Sequence, residues 1–215
     1  MAANQELMTF TRDTEALAQV YGRLGWDQET MMPRGAADQR AEEMGALQAV
    51  LHGRRTDPRV GAWLAAAKAP DAAGEAQLRL IRRGYVRAGK VPPDLGVALA
   101  KLTSRAQGQW AEARANDDFK AFAPVLDEVL RLKREEAAAL AGRGDLYDAL
   151  LDDYEPGMTG AGIEAMFAQM RPKLVALRKM ALARPEVAAV TGEFPAGKQM
   201  KFARKMARRF GYDWA

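Results

Sequence analysis

The sequence predicts an all-α protein, an antiparallel bundle of about eight helices, and three observations lead to this prediction. Apolar residues recur every three or four positions along almost the whole chain, which is the period of an amphipathic helix. No segment alternates apolar and polar residues with the period of two expected for a strand. Proline and glycine occur where these patterns stop, and they therefore mark the helix ends.

A helical hairpin is expected over residues 1–53. Its first helix carries a seam with alternating spacings of three and four residues, formed by Leu7, Phe10, Thr14, Leu17, Tyr21 and Leu24. Gly25 ends this pattern, and the segment 26–35 interrupts it with Pro33. The second helix is predicted over residues 36–52, where it would bury Met44, Leu47 and Leu51 before Gly53.

Further helices are expected between residues 57 and 142. Asp57 and Pro58 form a typical helix start, a carboxylate cap followed by proline, and the helix should bury Val60 and Leu64. The next helix stops near Gly89, and its apolar residues are Leu80, Ile81, Tyr85 and Val86. A helix of about five turns follows Pro92-Pro93, with inward positions at Leu95, Leu99, Leu102, Ala106, Trp110 and Ala113. Another opens at Phe119 and ends at Gly142, with Phe122, Leu126, Val129 and Leu130 on its apolar face.

An acidic stretch over residues 143–157 separates these helices from the C-terminal ones. After it, Thr159 is positioned to cap a helix that Pro185 terminates. This helix should bury Met166, Phe167, Met170, Leu174 and Leu177. A last short helix is expected to end at Gly211, and the whole of residues 1–215 is interpreted as one helical domain.

Composition excludes several kinds of chemistry within this chain. There is no cysteine, which excludes a disulfide scaffold, a zinc ribbon, an iron–sulfur site and a thiol nucleophile. A single histidine, His52, excludes a two-histidine metal site, and it is most simply a cation in the last turn of a helix. Any chemistry of this chain alone would therefore proceed without cysteine thiols and without a pair of histidines.

Charge and hydropathy predict a cytoplasmic protein that binds neither nucleic acid nor membrane. The 32 Lys and Arg residues against 28 Asp and Glu residues give a net charge of +4, too small to indicate nucleic-acid binding. The first residues lack the basic and apolar regions of a secretion signal, and no apolar run approaches about 18 residues.

Two clusters of charge have both a functional and a structural interpretation. Asp148 and Asp152 lie four positions apart, so on a helix they could hold Mg²⁺ or Ca²⁺, although no second acidic cluster faces them. The alternative is that they cap helices and pair with arginines. The last helix carries a basic arc that could contact an anionic surface, or could simply be the polar face of a surface helix: Lys201, Arg204, Lys205, Arg208 and Arg209.

The segment Trp26–Pro33 is the most unusual part of the sequence, with one tryptophan, two acids and two methionines. It could line a ligand-binding groove, or it could be a capped turn in which Asp27 or Thr30 is the cap and the methionines fill the core. Spacing alone favours neither interpretation.

This segment and three later ones together resemble a known family. Gly25–Gly35 followed by Arg40, Trp110–Arg114 with Asp118–Pro124, Tyr147–Met158, and Gly211–Asp213 occur in the order found in the carboxypeptidase Taq family of zinc metallocarboxypeptidases. The resemblance extends over essentially the whole chain and implies the lid and groove-wall half of a zincin-type enzyme.

The resemblance also implies what this chain does and does not contribute. Family members are more than twice as long, and their zinc-binding HExxH helix would lie after residue 215, so no catalytic residue or zinc ligand can be assigned here. Trp26, Asp27 and Gln28 are expected to face the peptide groove, and the acidic stretch is expected to fix the junction with the catalytic half. Three aromatic residues lie within the last six positions: Phe210, Tyr212 and Trp214. Exposed aromatic side chains are unusual at a free terminus, so the chain is expected to continue into a hydrophobic core.

The expected function is therefore that of the N-terminal part of a zinc-dependent carboxypeptidase, inactive alone. Peptides are the expected substrate and a homodimer is the expected assembly of the whole enzyme. The alternative is a stand-alone helical module that binds a protein or an anionic surface through the basic arc.

Overall fold

The computed structural model describes residues 2–214, which form nine α-helices and one short 3₁₀ helix, with no strand among them. The helices are α1 Ala2–Thr30, α2 Ala37–Arg55, α3 Pro58–Ala66, α4 Ala72–Lys90, α5 Pro93–Ala115, α6 Phe119–Ala141, α7 Leu146–Leu151, α8 Gly160–Leu182 and α9 Ala196–Arg209. The all-α prediction is confirmed. The helix that periodicity did not predict is α7, whose six residues are too few to show a repeat.

The described residues divide into two compact units, Met1–Ile163 and Glu164–Ala215. In the first unit, α2 packs along both α1 and α5, and α5 packs along α6. The second unit contains most of α8 and all of α9, and none of its described side chains is buried. No described helix is both long and apolar enough to cross a membrane.

The main hydrophobic cluster of the first unit joins α1, α3 and α4. Leu7 is completely buried, and it packs with Val60 and Leu64 of α3, which are 4% and 5% exposed. The rings of Phe10 and Trp63 lie beside this cluster with their centroids 5.5 Å apart. The low exposure of Val60 and Leu64 confirms the prediction that they face inward. They lie four residues apart, which is the spacing of one buried stripe on a helix.

The single polar member of the α1 seam, Thr14, is buried and fully bonded. Its hydroxyl donates to the carbonyl oxygen of Phe10 at 2.8 Å and accepts from Nε of Arg54 at 2.9 Å. The Arg54 guanidinium also lies over the ring of Phe10, 4.1 Å from its centroid. The contacts of Arg54 with Thr14 and Phe10 hold the end of α2 against α1. Loss of Arg54 would remove a hydrogen-bond donor from the buried Thr14 hydroxyl, which would destabilise the fold.

The expected end of the first helix at Gly25 is wrong, because α1 continues to Thr30. Glycine in a helix costs about 1 kcal/mol relative to alanine, and side-chain hydrogen bonds to carbonyl oxygens on either side of Gly25 offset that cost. Arg40 donates to the carbonyl oxygen of Leu24 at 2.5 Å, and the Thr30 hydroxyl donates to that of Trp26 at 2.7 Å. Asp27 and Thr30 therefore lie inside α1, and neither caps the helix that follows.

Helix α3 begins as the sequence predicts, with Asp57 as its cap. The carboxylate accepts from the backbone N–H of Arg59 at 2.9 Å and pairs with the Arg59 guanidinium at 2.7 Å. The side chain and then the backbone of Arg59 lower the pKa of Asp57 to about 2. The Asp57 carboxylate thus remains charged in the folded protein at a pH where an unfolded aspartate, with a pKa of about 3.9, is largely protonated.

We expect this cap to hold until the pH falls to about 2, as measured by a ¹³C-NMR titration of the Asp57 carboxyl carbon. A lowered pKa stabilises the folded state above the unfolded pKa of about 3.9, and this contribution disappears as pH falls through the folded value. Asp57→Asn, which can still cap but cannot titrate, should lose less stability between about pH 4 and pH 2. An Asp57 midpoint near the ordinary aspartate value would contradict this interpretation.

Candidate functional site

The three predicted groove residues lie side by side near the C-terminal end of α1, but their environments differ. The indole of Trp26 is 63% exposed, whereas Asp27 and Gln28 are half-buried and bonded to other helices. Trp26 is therefore the one of the three whose side chain offers a broad accessible surface to a ligand.

Asp27 is the anionic partner of Arg40, which α2 places opposite the end of α1. The Arg40 guanidinium donates to Asp27 Oδ2 at 2.6 Å, to Glu43 Oε2 at 2.9 Å and to the Leu24 carbonyl oxygen. The Arg40 side chain is only 11% exposed, and the hydrogen bond to Asp27 is the largest cause of the raised pKa of Arg40. Because its oxygen is bonded to a permanent cation, Asp27 is not placed to act as a general base.

Gln28 connects α1 to α5 through a reciprocal pair of hydrogen bonds. Its Nε2 donates to the backbone oxygen of Ser104 at 3.0 Å, and the Ser104 hydroxyl donates to Gln28 Oε1 at 2.6 Å. Ser104 is buried, so each partner satisfies a polar group that would otherwise be unpaired. Sequence spacing gives no signal for this pair, since the two residues are 76 positions apart.

The acidic stretch forms an arginine-bound junction between α4 and α7. Asp152 Oδ2 accepts from Arg83 at 2.7 Å and from Arg87 at 2.9 Å, while its Oδ1 accepts from the N–H of Gly157 at 2.9 Å. The Gly157 bond, and then Arg83, lower the pKa of Asp152. Arg87 also pairs with Asp153 at 2.6 Å. These contacts favour the interpretation that the carboxylates cap helices and pair with arginines.

The hydrogen bonds of Asp148 and Asp152 do not favour the alternative of a Mg²⁺ or Ca²⁺ site at these two carboxylates. Asp148 accepts from the N–H of Gly160 at 2.7 Å, whereas both oxygens of Asp152 are occupied by other donors. In residues 2–214, no group of three or more His, Asp or Glu side chains could hold a metal ion. The described residues therefore do not fit a zinc site, and no catalytic step can be assigned to a metal held by them.

Two cavities of about 540 and 560 Å³ lie along α4, and Glu15 and Arg55 line both. His52 lines the first cavity and lies in the last turn of α2, where the sequence predicted a cation. Burial raises the pKa of Tyr21, another lining residue. Neither of these two cavities is lined by Trp26, Asp27 or Gln28.

The basic arc of α9 is present as predicted. Its five cations together line a shallow depression of about 460 Å³: Lys201, Arg204, Lys205, Arg208 and Arg209. The Arg204 guanidinium also lies 5.6 Å from the centre of the Trp214 ring. This helix thus has a cationic face, as either a binding surface or an ordinary polar face would require.

Comparison with known proteins gives one consistent result. The family model of carboxypeptidase Taq (M32) metallopeptidases matches residues 6–215. Thermostable carboxypeptidase 1 of Thermus thermophilus is 36% identical over 230 aligned residues, which cover 99% of this chain and 45% of the relative. The chain thus spans less than half the length of this curated relative.

Solved structures agree with this match. The structure of Pyrococcus furiosus carboxypeptidase has a TM-score of 0.79 and 26% identity, covering 100% of this chain and 45% of its own. A crystal structure named BsuCP has a TM-score of 0.87 at 23% identity, with 100% and 44% covered, and it shows the fold alone. Since the family match includes α9, a stand-alone module is not the favoured interpretation. The chain belongs to the carboxypeptidase Taq (M32) family of metallopeptidases.

Proposed function

We propose that residues 1–215 act as the N-terminal portion of a zinc-dependent carboxypeptidase, which releases C-terminal amino acids from peptides. The observation that carries the proposal is the match of the family model to residues 6–215. The chain covers only 45% of its Thermus thermophilus relative, which supports a portion of the enzyme. The metal-binding residues would then belong to the polypeptide that corresponds to the unmatched part of the relatives.

Zinc as the metal and the cytoplasm as the location are parts of the same proposal. The family is one of metallopeptidases, which supports a metal, and the HExxH segment implied by the resemblance is a typical zinc-binding motif. A chain without cysteine is compatible with a reducing compartment. We also propose a homodimer, which sedimentation of the whole enzyme would test.

The proposal is tested with a fused chimera, in which residues 1–215 are joined to the unmatched part, about 55%, of the Thermus thermophilus carboxypeptidase. We expect the folded chimera to hydrolyse a blocked dipeptide in a reaction that a chelator stops and zinc restores. The Thermus enzyme, cut and rejoined at the same position, is the control for the junction. An inactive chimera that is folded and loaded with metal would refute the proposal.

Trp26 is proposed to contact peptide in that assembly, on the evidence of its exposed indole beside the anchored Asp27 and Gln28. In the fused chimera, we expect Trp26→Ala to raise KM about tenfold, with a smaller change in kcat, because it removes binding surface and no reacting group. Trp110→Ala is the matched control, since Trp110 is 51% exposed on α5. Equal effects of the two substitutions would contradict a groove role for Trp26.

A further inference from the structure

Helix α8 presents an apolar stripe whose side chains are not buried within their own unit. Phe167, Met170, Leu174 and Leu177, here called the α8 stripe, follow one another at spacings of three, four and three residues. They are 54%, 44%, 54% and 61% exposed, although the sequence predicted that they would be buried. The spacing is that of a coiled-coil seam, so the stripe has the form of a surface that packs against another helix.

Helix α8 has few interactions of its own that would stabilise it with this stripe exposed. Pro172 lies in its interior, where it removes one backbone hydrogen bond. None of the side chains of α8 is buried, whereas a stable surface helix normally covers its apolar face. The α8 stripe is therefore a surface suited to packing against a partner.

The charges beside the α8 stripe indicate what kind of partner this is. Arg171 and Arg178 lie along one side of the stripe and Lys173 along the other, and none of the three forms an ion pair with another described residue. Glu164 is the only acid in this 23-residue helix. A second α8 would bring like charges together, so the stripe favours an acidic partner over its own copy.

The lengths of the relatives suggest where this partner comes from. The fold matches the Pyrococcus furiosus structure over 100% of this chain but only 45% of the other, at a TM-score of 0.79. More than half of that chain therefore lies outside the matched region and is available to cover exposed faces. The apolar spacing favours a helix as the partner, and the unmatched part of the relatives is long enough to supply one.

We infer that the α8 stripe is the docking surface for an amphipathic, acid-flanked helix in the polypeptide that corresponds to the unmatched part of the relatives. The inference rests on the proposed function and adds the surface through which the two portions are held together. Leu174 and Leu177 form the C-terminal half of the apolar contact, and Arg171, Lys173 and Arg178 pair with carboxylates at its edges.

The test measures binding of the 215-residue chain to the unmatched part of the Thermus thermophilus enzyme by isothermal titration calorimetry. We expect Leu174→Glu with Leu177→Glu to weaken binding at least 100-fold, because two charges would enter an apolar contact. The control is Ala165→Glu with Ala168→Glu, which adds the same charge on the opposite side of α8 and should change binding less than threefold. Circular dichroism of both variants is the check that they retain their helices.

A second measurement covers the case in which the isolated Thermus part does not fold. In the fused chimera, hydrogen exchange should show α8 protected, and the stripe variant should lose this protection while the control variant keeps it. Unchanged binding or protection in the stripe variant overturns the inference. Binding of the stripe to a second copy, or to phosphatidylglycerol vesicles in preference to the Thermus part, overturns it as well.

These results separate the inference from the proposed function. A stripe-dependent complex that lacks carboxypeptidase activity would refute the proposed function and leave the docking surface in place. An active chimera whose α8 remains protected in the stripe variant would overturn the docking surface alone.

Discussion

Leu7→Ala is expected to lower the free energy of unfolding of the first unit by about 2–5 kcal/mol. Leu7 is completely buried and contacts a cluster formed with Val60 and Leu64, so its removal leaves a cavity between α1 and α3. The three side chains come from helices whose positions are set by other contacts, and the cavity has little opportunity to collapse. Urea denaturation followed by circular dichroism measures the change.

The matched control for this prediction is Leu80→Ala. Leu80 has the same side chain on α4 but is 63% exposed, so its loss should cost less than about 0.5 kcal/mol. A Leu7 variant that is destabilised by no more than the Leu80 variant would contradict the assignment of the core to this cluster.

Arg40→Ala is the substitution with the second largest expected effect, about 2 kcal/mol of stability. It leaves the Leu24 carbonyl oxygen and the Asp27 carboxylate without their shared donor, at the point where α1 continues past Gly25. Asp27 is 40% exposed, so water compensates in part and the cost is less than that of a fully buried pair. Thermal and urea unfolding give the magnitude.

Two further variants separate the geometry of Arg40 from its charge. Arg40→Lys keeps the positive charge but cannot donate to three acceptors in the fork of a guanidinium, so it should recover less than half of the loss. Arg34→Ala removes an exposed arginine that has no hydrogen bond to another described side chain, and it should be almost neutral. Equal stability of the Arg40→Ala and Arg34→Ala variants would show that the Arg40 contacts do not hold the end of α1.

The helices could be predicted well from the sequence because caps, prolines and apolar spacing act within one or two turns of the chain. The Asp57–Pro58 start of α3 depends on a cap and a proline, and both act within one turn. The end of α1 could not be read in this way, because the bond from Arg40 to the Leu24 carbonyl comes from another helix. Periodicity at Gly25 therefore indicated a helix end that tertiary contacts override.

Burial and side-chain pairing were less predictable than helices. The spacing of Leu174 and Leu177 predicts a helix with an apolar side, but it does not specify which polypeptide covers that side. The Gln28–Ser104 pair has no sequence signal, since it forms only when α1 and α5 are already adjacent. Trp26 is a candidate because the segment around it resembles a family signature, and the structure adds that its indole is exposed.

The most direct test of the central claim is the zinc content of the 215-residue chain beside that of the fused chimera. Each is dialysed against zinc, freed of unbound metal and assayed with a blocked dipeptide. We expect essentially no bound zinc and no hydrolysis for the chain alone, because no three His, Asp or Glu side chains among its described residues are placed to hold a metal ion. For the active chimera we expect about one zinc per chain. Stoichiometric zinc and hydrolysis in the chain alone would contradict the claim that the metal centre comes from the unmatched part.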